Sequence, residues 1–520
     1  MPHQPQSQPS FLIVGAGVYG ASTALTLARL GYRSITVLDR STDGFAAPDA
    51  ASNDVNKIAR SAYSAPLYRN LAKEALSQWR TDPTISRFYH EVGLVLHSGI
   101  AALNGDSASG ITDDAEAYVR NGVENSVEKG GFAELPRPGQ QLPRPAWPFH
   151  SDDEALDAFP PALRPHLGEG LKGFGKRQTG YIDPRGGWTE ANAAVRAVLA
   201  EAIRLGVKVV PRCVAKELLY HDRPSSTGKR VVRGIRSADG KEYTADHTVI
   251  AAGAWSRLLL QQLLPGSSIN ALPPASPSAQ CVVLLQLTPE ERAVLKHAPV
   301  VLNFDTGLYV FEPTADGVLK MAIHSAAGYQ NPAPRLDLET AYPTFQQGEE
   351  RHCAQPSAIY KESADQFVPE DKVRTMLEEL YTLYPLLRAV PAERIRTRIC
   401  WYSDTLDENW VLDHHPDVDN LVVAGGDSGH GYKFLPTLGR LVAAKLGVEG
   451  VPELTPYQQR VFSFEHHREL AEKVKRGEKV ESADSGRAPG GGAAAGKPVA
   501  ERTMRMDKSA TSKSNPRARL

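Results

Sequence analysis

Residues 11–40, FLIVGAGVYGASTALTLARLGYRSITVLDR, constrain the fold more than any other stretch of this chain. An apolar run precedes Gly15, Gly17 and Gly20, a helical stretch follows, and a second apolar run ends at Asp39. This order predicts a strand, a glycine turn, a helix and a second strand. The turn lets backbone N–H groups at the helix N-terminus face a pyrophosphate, and a carboxylate at Asp39 can accept ribose hydroxyls. The stretch therefore predicts a site for an adenine dinucleotide.

The same stretch has a second interpretation, because residues 11–28 carry no charge and could form a signal peptide or a membrane span. Residues 1–10 contain no Lys or Arg, and three glycines interrupt the apolar run. Cleavage would also remove the glycine motif. We therefore expect a folded strand and helix here.

Composition limits the classes of partner. The chain has 520 residues, of which 41% are apolar and 23% charged, typical of a globular protein with two domains. The net charge of −1 provides no basic field for nucleic acid or an anionic membrane. Four scattered cysteines suit neither a disulfide framework nor a CxxC metal site. We expect a small-molecule partner, no metal, a reducing compartment and a monomer.

Two later stretches return to the strand, glycine and helix pattern. TVIAAGAWS is a buried strand ending at Gly253 and Trp255, where a sheet edge can approach a cofactor. NLVVAGGDSGHGYKF leads into another helix, so the cofactor domain closes with a third segment. Between them, residues 281–324 alternate apolar and polar positions, which predicts an antiparallel sheet.

The predicted fold class is α/β, with a Rossmann-like FAD-binding domain interleaved with a mainly antiparallel-sheet substrate domain of α+β type. The predicted segments are 9–95, 179–262 and 403–465 for the FAD-binding domain, 96–178 and 263–402 for the substrate domain, and 470–520 for a disordered tail. FAD is the economical cofactor because no second dinucleotide motif for a nicotinamide is present.

The glycine-rich loop at 425–434 can approach a flavin or a phosphate, and we expect Lys433 and His430 to project into the site. An ordinary turn is the alternative. Cys400 lies between Arg398 and Trp401, and the nearby cation would favour its thiolate. A lone cysteine that only packs is the alternative there.

Lys320 and His324 share one strand parity, so both side chains face one side of the strand. A lysine above a flavin would stabilise superoxide when reduced flavin meets oxygen, whereas an edge-strand lysine would only face solvent. A predicted loop is crowded with Asn56, Lys57, Arg60 and Tyr63, and solvated surface charge is the alternative to a site there.

Together these motifs resemble the monomeric sarcosine oxidase family of flavin amine oxidases, which includes saccharopine, pipecolate and fructosyl-amino-acid oxidases. GAGVYG, ASNDVNKIAR, AAGAWS, RICWYSDT and GDSGHGYKF follow the family's order over about residues 9–465. The combination is highly specific.

The resemblance implies roles for individual residues. Cys400 matches the cysteine that bonds the flavin, and Lys320 matches the lysine that activates oxygen. Arg60 and Lys433 match the basic pair that holds the substrate carboxylate, and His324 matches an active-site histidine. The catalytic prediction is thus Lys320, His324, Lys433 and Arg60.

The predicted cofactor-binding residues come from every motif. They are Gly15, Gly17, Val18, Tyr19, Gly20, Asp39, Arg40, Ser52, Asn53, Lys57, Gly253, Trp255, Cys400, Asp427, Gly429, His430, Gly431 and Lys433.

The predicted function is oxidation of an amino acid with a secondary amine to an imine, with O2 reduced to H2O2. Fructosyl-amino-acid oxidases usually lack both an arginine at the Arg60 position and a histidine at the His324 position. The chain therefore resembles the sarcosine, pipecolate and saccharopine side more closely. A fructosyl-amino-acid oxidase, a flavin dehydrogenase with another acceptor and a non-catalytic flavin-binding protein remain alternatives.

Ala518, Arg519 and Leu520 form a variant of the peroxisomal SKL signal, which predicts binding to the peroxisomal import receptor; without it the protein would stay cytoplasmic. A fluorescent protein fused to the N-terminus should give punctate fluorescence that becomes diffuse when Leu520 is deleted. Diffuse fluorescence from both proteins would contradict the targeting prediction.

Overall fold

The computed structural model describes most of the chain. The described residues are 8–63, 65–98, 147–149, 155–168, 179–270, 275–303, 306–324, 368, 370–478 and 480. Most of residues 325–370 and the tripeptide at 518–520 lie outside these ranges. What the sequence predicts for them stays a prediction.

The described strands are numbered in chain order. They are β1 (Phe11–Val14), β2 (Ile35–Leu38), β3 (Asn56–Ala59), β4 (Tyr89–His90), β5 (Leu94–Ser98), β6 (Trp147–Phe149), β7 (Thr179–Asp183), β8 (Gly187–Glu190), β9 (Lys208–Val210), β10 (Ala215–Tyr220), β11 (Arg230–Ser237), β12 (Glu242–Thr244), β13 (His247–Ile250), β14 (Ala275–Gln286), β15 (Val300–Asn303), β16 (Leu308–Val310), β17 (Val318–Ile323), β18 (Ile395–Thr405), β19 (Val411–His414), β20 (Val418–Asp419) and β21 (Leu421–Gly425).

The described α-helices are numbered in the same way. They are α1 (Val18–Arg29), α2 (Pro66–Thr81), α3 (Ala191–Arg204), α4 (Ser256–Leu263), α5 (Pro289–Leu295), α6 (Glu370–Leu383), α7 (Leu435–Lys445), α8 (Pro456–Val461) and α9 (Phe464–Lys475).

Local chemistry explains several helix starts. Proline occupies the first turn of α2, where its missing N–H has no helical partner to lose. At α5, the Thr288 side chain accepts from the Glu291 backbone while the Glu291 side chain accepts from the Thr288 backbone, which forms a capping box. Thr455 and Gln458 form the same arrangement at α8.

A six-stranded sheet holds the glycine motif. Its strand order is β19-β21-β13-β1-β2-β9, and every neighbouring pair is parallel except β19 and β21. One apolar core lies between this sheet and helices α1, α3 and α7, and a second covers the opposite face. The carboxyl ends of β1, β2 and β13 therefore meet at one edge, where open α/β sheets bind ligands.

An eight-stranded sheet in the order β18-β14-β17-β16-β15-β5-β7-β6 forms the second layer. Its pairs are antiparallel except for β5 with β15. One face packs on α6, and the other carries a separate apolar cluster that includes Cys400 and Tyr402. These two sheets confirm the predicted fold class.

Two local predictions differ from the structure. Residues 56–59 form strand β3, paired with β8, rather than a loop. Helix α9, whose start is capped by the Ser463 side chain, continues past residue 470 to Lys475 because the buried Leu470 anchors its second half.

The predicted domain boundaries stay a prediction. Strands β5 and β7 lie at two of these boundaries, and they pair with each other inside the eight-stranded sheet. The chain thus crosses from one sheet to the other close to both positions.

No helix among the described residues is both long enough and apolar enough to cross a membrane.

Close packing of α1 against α7 generates a stability prediction. Gly439 donates its N–H to Ser22 Oγ at 2.7 Å, and a Cβ there would lie 2.2 Å from the Ser22 carbonyl oxygen. Gly439→Ala should lower the free energy of unfolding by about 1–3 kcal/mol, because overpacking outweighs the helix propensity of alanine. Urea unfolding measures this change.

Gly266→Ala is the control, since a Cβ at Gly266 has no atom within 4 Å. If Gly439→Ala is as stable as the wild type, the tight helix contact is not required.

Candidate cofactor and active site

A cleft of about 1010 Å³, part of it open to solvent, lies at the carboxyl ends of β1, β2 and β13. Many of the predicted cofactor-binding residues line it. They are Gly15, Gly17, Val18, Tyr19, Asp39, Arg40, Ser52, Gly253, Trp255 and Asp427.

The N-terminus of α1 forms one wall of the cleft. Gly15 has a φ of +112°, and a Cβ there would lie 2.4 Å from the Ala251 carbonyl oxygen. Only glycine suits that turn. Ser52 Oγ accepts from the Val18 N–H at 2.9 Å and so fixes the loop over the helix start. The positive end of the helix dipole makes this wall suitable for an anionic group.

Asp39 follows β2 at the adjoining wall. Its carboxylate accepts from the N–H groups of Ala16 at 2.7 Å and Ser41 at 2.8 Å, which couples the strand end to the glycine turn. Burial raises the pKa of Asp39 despite these bonds. Its binding to ribose hydroxyls stays a prediction.

Two buried polar atoms on the cleft wall have no hydrogen-bond partner in the described part of the chain. They are the Tyr19 hydroxyl and Trp255 Nε1. The Arg40 guanidinium lies 4.4 Å over the Trp255 ring while it bonds to Asp49. Buried polar groups require partners, so a polar ligand in the cleft suits this wall. The backbone donors of the cleft at the α1 N-terminus and these two atoms fit FAD.

A buried carboxylate lies beyond the cleft, at Asp54. Its Oδ2 accepts from Lys320 Nζ at 2.6 Å and lies 2.7 Å from Lys57 Nζ. Burial alone would raise the pKa of Asp54, but the neighbouring positive charges, with Lys320 the strongest, hold it far below its usual range. Asp54 is therefore a carboxylate at every physiological pH.

Lys320 is fully buried on β17. Besides Asp54, its Nζ donates to the Asn56 carbonyl oxygen at 2.7 Å, and it lies 5.3 Å over the Phe311 ring. Burial lowers the pKa of Lys320 to about 8, although Asp54 opposes the change. The alternative of a solvent-facing edge lysine is therefore wrong.

Cys400 is buried on β18, and its Sγ lies 3.4 Å from Lys57 Nζ. The sequence predicts Arg398 as the cation beside this thiol, but Arg398 donates to the Asn53 carbonyl oxygen at 2.6 Å and lies 3.7 Å from Asp54. Lys57 is therefore the cation that contacts the thiol. Burial lowers the pKa of Lys57, but the neighbouring charge of Asp54 raises it by more, so the ammonium keeps its proton.

A second group of buried cations meets at Tyr63. Lys433 Nζ donates to the Tyr63 hydroxyl at 2.8 Å, and the Arg60 guanidinium lies 4.6 Å over the Tyr63 ring. Arg60 also donates to the Ala62 carbonyl oxygen. Burial lowers the pKa of Lys433 well below its usual value, and the charge of Arg60 lowers it further. The structure thus brings the predicted basic pair together.

His430 contacts the same tyrosine as the basic pair, and its projection into the site stays a prediction. Its Nε2 lies 3.0 Å from the Glu408 carbonyl oxygen, and its ring packs 4.7 Å from Tyr68, edge to face. Its Nδ1 lies 3.3 Å from the Tyr63 hydroxyl. The imidazole is therefore part of the aromatic packing behind Tyr63, and it does not line the cleft.

His324 follows β17 and lies on the same face as Lys320. Ala322, between them, packs in the cluster with Cys400, whereas the alternate residue Met321 packs on the opposite face. The His324 ring lies 5.3 Å from the Tyr402 ring. The predicted strand parity is confirmed.

Gly429 and Gly431 lie in the loop before α7. Gly429 approaches Tyr402 and His324, whereas Gly431 lies against Asp427. Burial and the charge of Asp404 raise the pKa of Asp427 to about 6. This loop thus extends from the cleft, which Asp427 lines, to Tyr402 and His324.

Several predicted cofactor residues do not line the cleft itself. They are Gly20, Asn53, Lys57, Cys400, Gly429, His430, Gly431 and Lys433. Gly20 serves packing instead, since a Cβ there would lie 1.8 Å from the Gly15 carbonyl oxygen.

Sequence reasoning missed three residues of the buried group: Asp54, Tyr309 and Tyr402. The two tyrosine hydroxyls lie 3.2 Å apart, and Lys57 Nζ lies 5.4 Å over the Tyr402 ring. One local signal was available for Asp54, an acid within the basic stretch ASNDVNKIAR. The tyrosines carry no such signal, because they resemble ordinary strand residues.

Three comparisons place the chain among known proteins. L-saccharopine oxidase of Schizosaccharomyces pombe is 27% identical, with 84% of this chain and 89% of that protein covered. Peroxisomal sarcosine oxidase of Mus musculus is 26% identical, with 87% and 96% covered. The solved structure of fructosyl amine:oxygen oxidoreductase (Amadoriase I) from Aspergillus fumigatus has a TM-score of 0.67 at 26% identity, with 92% of this chain and 94% of that chain covered.

The profile of the FAD-dependent oxidoreductases called DAO matches residues 10–445, which span the six-stranded and eight-stranded sheets and the buried cations described above. The chain therefore belongs to the DAO family of FAD-dependent oxidoreductases.

Proposed function

We propose that this enzyme oxidises a small α-amino acid that carries a secondary amine, yielding an imine and H2O2. The observation that carries the proposal is the pair of buried cations at Tyr63. Lys433 and Arg60 both contact Tyr63, and a guanidinium and an ammonium brought together in this way can bind one carboxylate. The saccharopine and sarcosine oxidases among the relatives are consistent with that substrate class.

FAD, when bound, supplies the electron chemistry, taking a hydride from the carbon beside the amine and passing the electrons to O2. The walls of the cleft would hold its pyrophosphate at the α1 N-terminus and its ribose near Asp39. Lys320 would keep a positive charge near the oxygen that is being reduced.

A bound substrate carboxylate would stabilise the charged form of Lys433. The pKa of this lysine is low because of burial and the charge of Arg60. A bound carboxylate adds a negative charge and favours the ammonium form. The substrate amine must be neutral before hydride can leave the carbon beside it. Catalytic efficiency should therefore rise with pH as the ammonium group of the bound substrate loses its proton.

The substrate is tested by an oxygen-uptake screen against sarcosine, pipecolate, saccharopine, proline and fructosyl amino acids. Arg60→Ala and Lys433→Met should each raise the Michaelis constant of the best substrate about 10- to 150-fold, the equivalent of about 1.5–3 kcal/mol for a lost charged hydrogen bond. Simple carboxylates such as acetate should compete with that substrate.

Arg223→Ala and Lys473→Met serve as controls, because both side chains are on the surface. Wild-type Michaelis constants in both pocket variants, or a best substrate without a carboxylate, would contradict the anchoring role.

We further propose that FAD is bonded covalently to the Cys400 sulfur. The proposal is supported by the contact of Lys57 with Sγ, since a nearby cation favours thiolate, the nucleophilic form. Acid precipitation should leave yellow colour in the wild-type pellet and release free FAD from Cys400→Ala. Cys281→Ala, a buried thiol on the opposite face of the sheet, should behave as the wild type. Free FAD from the wild type would exclude the bond.

Lys320→Met should leave anaerobic reduction by the substrate nearly intact and slow re-oxidation by O2 by orders of magnitude, because the lost charge serves only that step. In the wild type, re-oxidation should slow as the pH rises past about 8, where Lys320 loses its proton. Stopped-flow absorbance measures both half-reactions, with Lys296→Met as a surface control. An equal loss in both half-reactions would mean that Lys320 is structural.

Oxidation of fructosyl amino acids is the second candidate function. It is favoured by the structural similarity to Amadoriase I, which extends over 92% of this chain. The same screen separates the two candidates, because a fructosyl amino acid would then exceed sarcosine, pipecolate and saccharopine in catalytic efficiency.

A further inference from the structure

Asp54 is the meeting point of cations from three separate parts of the chain. Lys57 lies on β3, Lys320 on β17 and Arg398 on β18, and all three approach its carboxylate within 4 Å. The Asp54 side chain itself has no exposed surface. One fully buried carboxylate therefore lies among three positive charges, of which Lys320 has no solvent exposure either.

The two lysines depend on this carboxylate most directly. Both ammonium groups contact the same oxygen, Oδ2, so their nitrogens are no more than about 5 Å apart. Two buried ammonium groups at that separation repel each other strongly unless an anion lies between them. Removing Asp54 would favour loss of a proton from one of them, and Lys320 has the weaker hold on its proton.

The hydrogen bonds of Lys320 indicate how many of its N–H donors remain for a ligand. An ammonium has three N–H donors, and Asp54 and the Asn56 carbonyl oxygen accept two of them. The third can bond to a group from outside the chain. Asp54 thus fixes both the charge and the direction of the remaining donor.

We propose that Asp54 is a positioning residue for oxygen reduction, which acts by holding Lys320 charged and oriented. The inference rests on the proposed role of Lys320. In that step O2 takes two electrons from reduced FAD and two protons from the flavin and solvent, and it leaves as H2O2, while Lys320 keeps its proton. Removal of Asp54 should therefore change the pH range in which re-oxidation is fast.

Other groups near Lys320 or Asp54 set the background of this titration. They are Lys57, Cys400, Arg398, Tyr309 and Tyr402. None is altered in the variants below.

The kinetic test uses photochemical reduction of the flavin by an added sacrificial electron donor, which needs no amine substrate, followed by mixing with O2 between pH 6 and 9. In Asp54→Asn, re-oxidation should be at least tenfold slower than in the wild type at pH 7.5 and should recover as the pH falls. Asp54→Glu, which keeps the charge, should retain the wild-type pH range. The double variant Asp54→Asn/Lys320→Met should be no slower than Lys320→Met, because Asp54 acts through Lys320.

Asp407→Asn is the matched control, since Asp407 is a buried carboxylate paired with His466 instead. A pH profile of Asp54→Asn that overlays the wild type, or a double variant slower than Lys320→Met, would overturn the inference. Wild-type re-oxidation in Lys320→Met would overturn it together with the role of Lys320. Failure of every amine in the oxygen-uptake screen would contradict only the proposed substrate class.

Stability provides a readout that does not depend on activity. A lysine whose pKa is lower in the folded state makes stability rise with pH, because the unfolded chain then binds more protons. The stability difference between the wild type and Lys320→Met should begin to rise near pH 8. The stability difference between Asp54→Asn and the double variant Asp54→Asn/Lys320→Met should begin to rise at a lower pH. If the rise begins at the same pH in both pairs of proteins, the inference is overturned. If Asp54→Asn does not fold, Asp54→Ser is used in the same two measurements.

Discussion

Burial of charge is the constraint on which the active site depends. Removing an ammonium or a carboxylate from water costs several kcal/mol per ion, and only close, well-bonded partners offset that cost. Lys320 and Asp54 meet this condition at 2.6 Å without solvent contact. The three cations around Asp54 lie on β3, β17 and β18, so the positions of these three strands are linked through one carboxylate.

The six-stranded and eight-stranded sheets contribute different parts of the site. The six-stranded sheet provides a cleft whose wall contains the start of α1 and the carboxyl ends of its parallel strands. The eight-stranded sheet presents Lys320, Cys400 and Tyr402 from its long, antiparallel strands. The loop before α7 connects the two, since it leaves the parallel sheet at Gly425 and reaches Tyr402 at Gly429. A cofactor in the cleft would therefore contact both layers.

Local patterns predicted the parts of this structure that depend on neighbouring residues. The strands and helix around Gly15 and Asp39 follow from apolar runs and turn chemistry within 30 residues, and the parity of Lys320 and His324 follows from the period of a strand. Whether Lys320 faces solvent or the interior could not be decided in this way, because burial is a property of the whole fold.

Contacts between distant residues were beyond the sequence. Asp54 and Lys320 are 266 positions apart, and no local pattern indicates that pair. For the same reason Arg398 was assigned to its neighbour Cys400, whereas the folded chain gives that contact to Lys57. His430 was expected to project into the site with Lys433 because of its place in a glycine-rich loop, and no local pattern indicates its contacts with Tyr63 and Tyr68.

The two groups of buried cations obtain a compensating negative charge in different ways. Asp54 supplies the negative charge for Lys57 and keeps its pKa high, whereas the pKa of Lys433 is low. The Lys433 group therefore gains more from an anion that arrives with the substrate. Binding a carboxylate would then take up a proton at a pH between the pKa of Lys433 in the free enzyme and its higher pKa in the complex, which weakens binding as the pH rises through that range. Deprotonation of the substrate amine acts in the opposite direction, so these two proton transfers together set the pH at which a substrate is oxidised best.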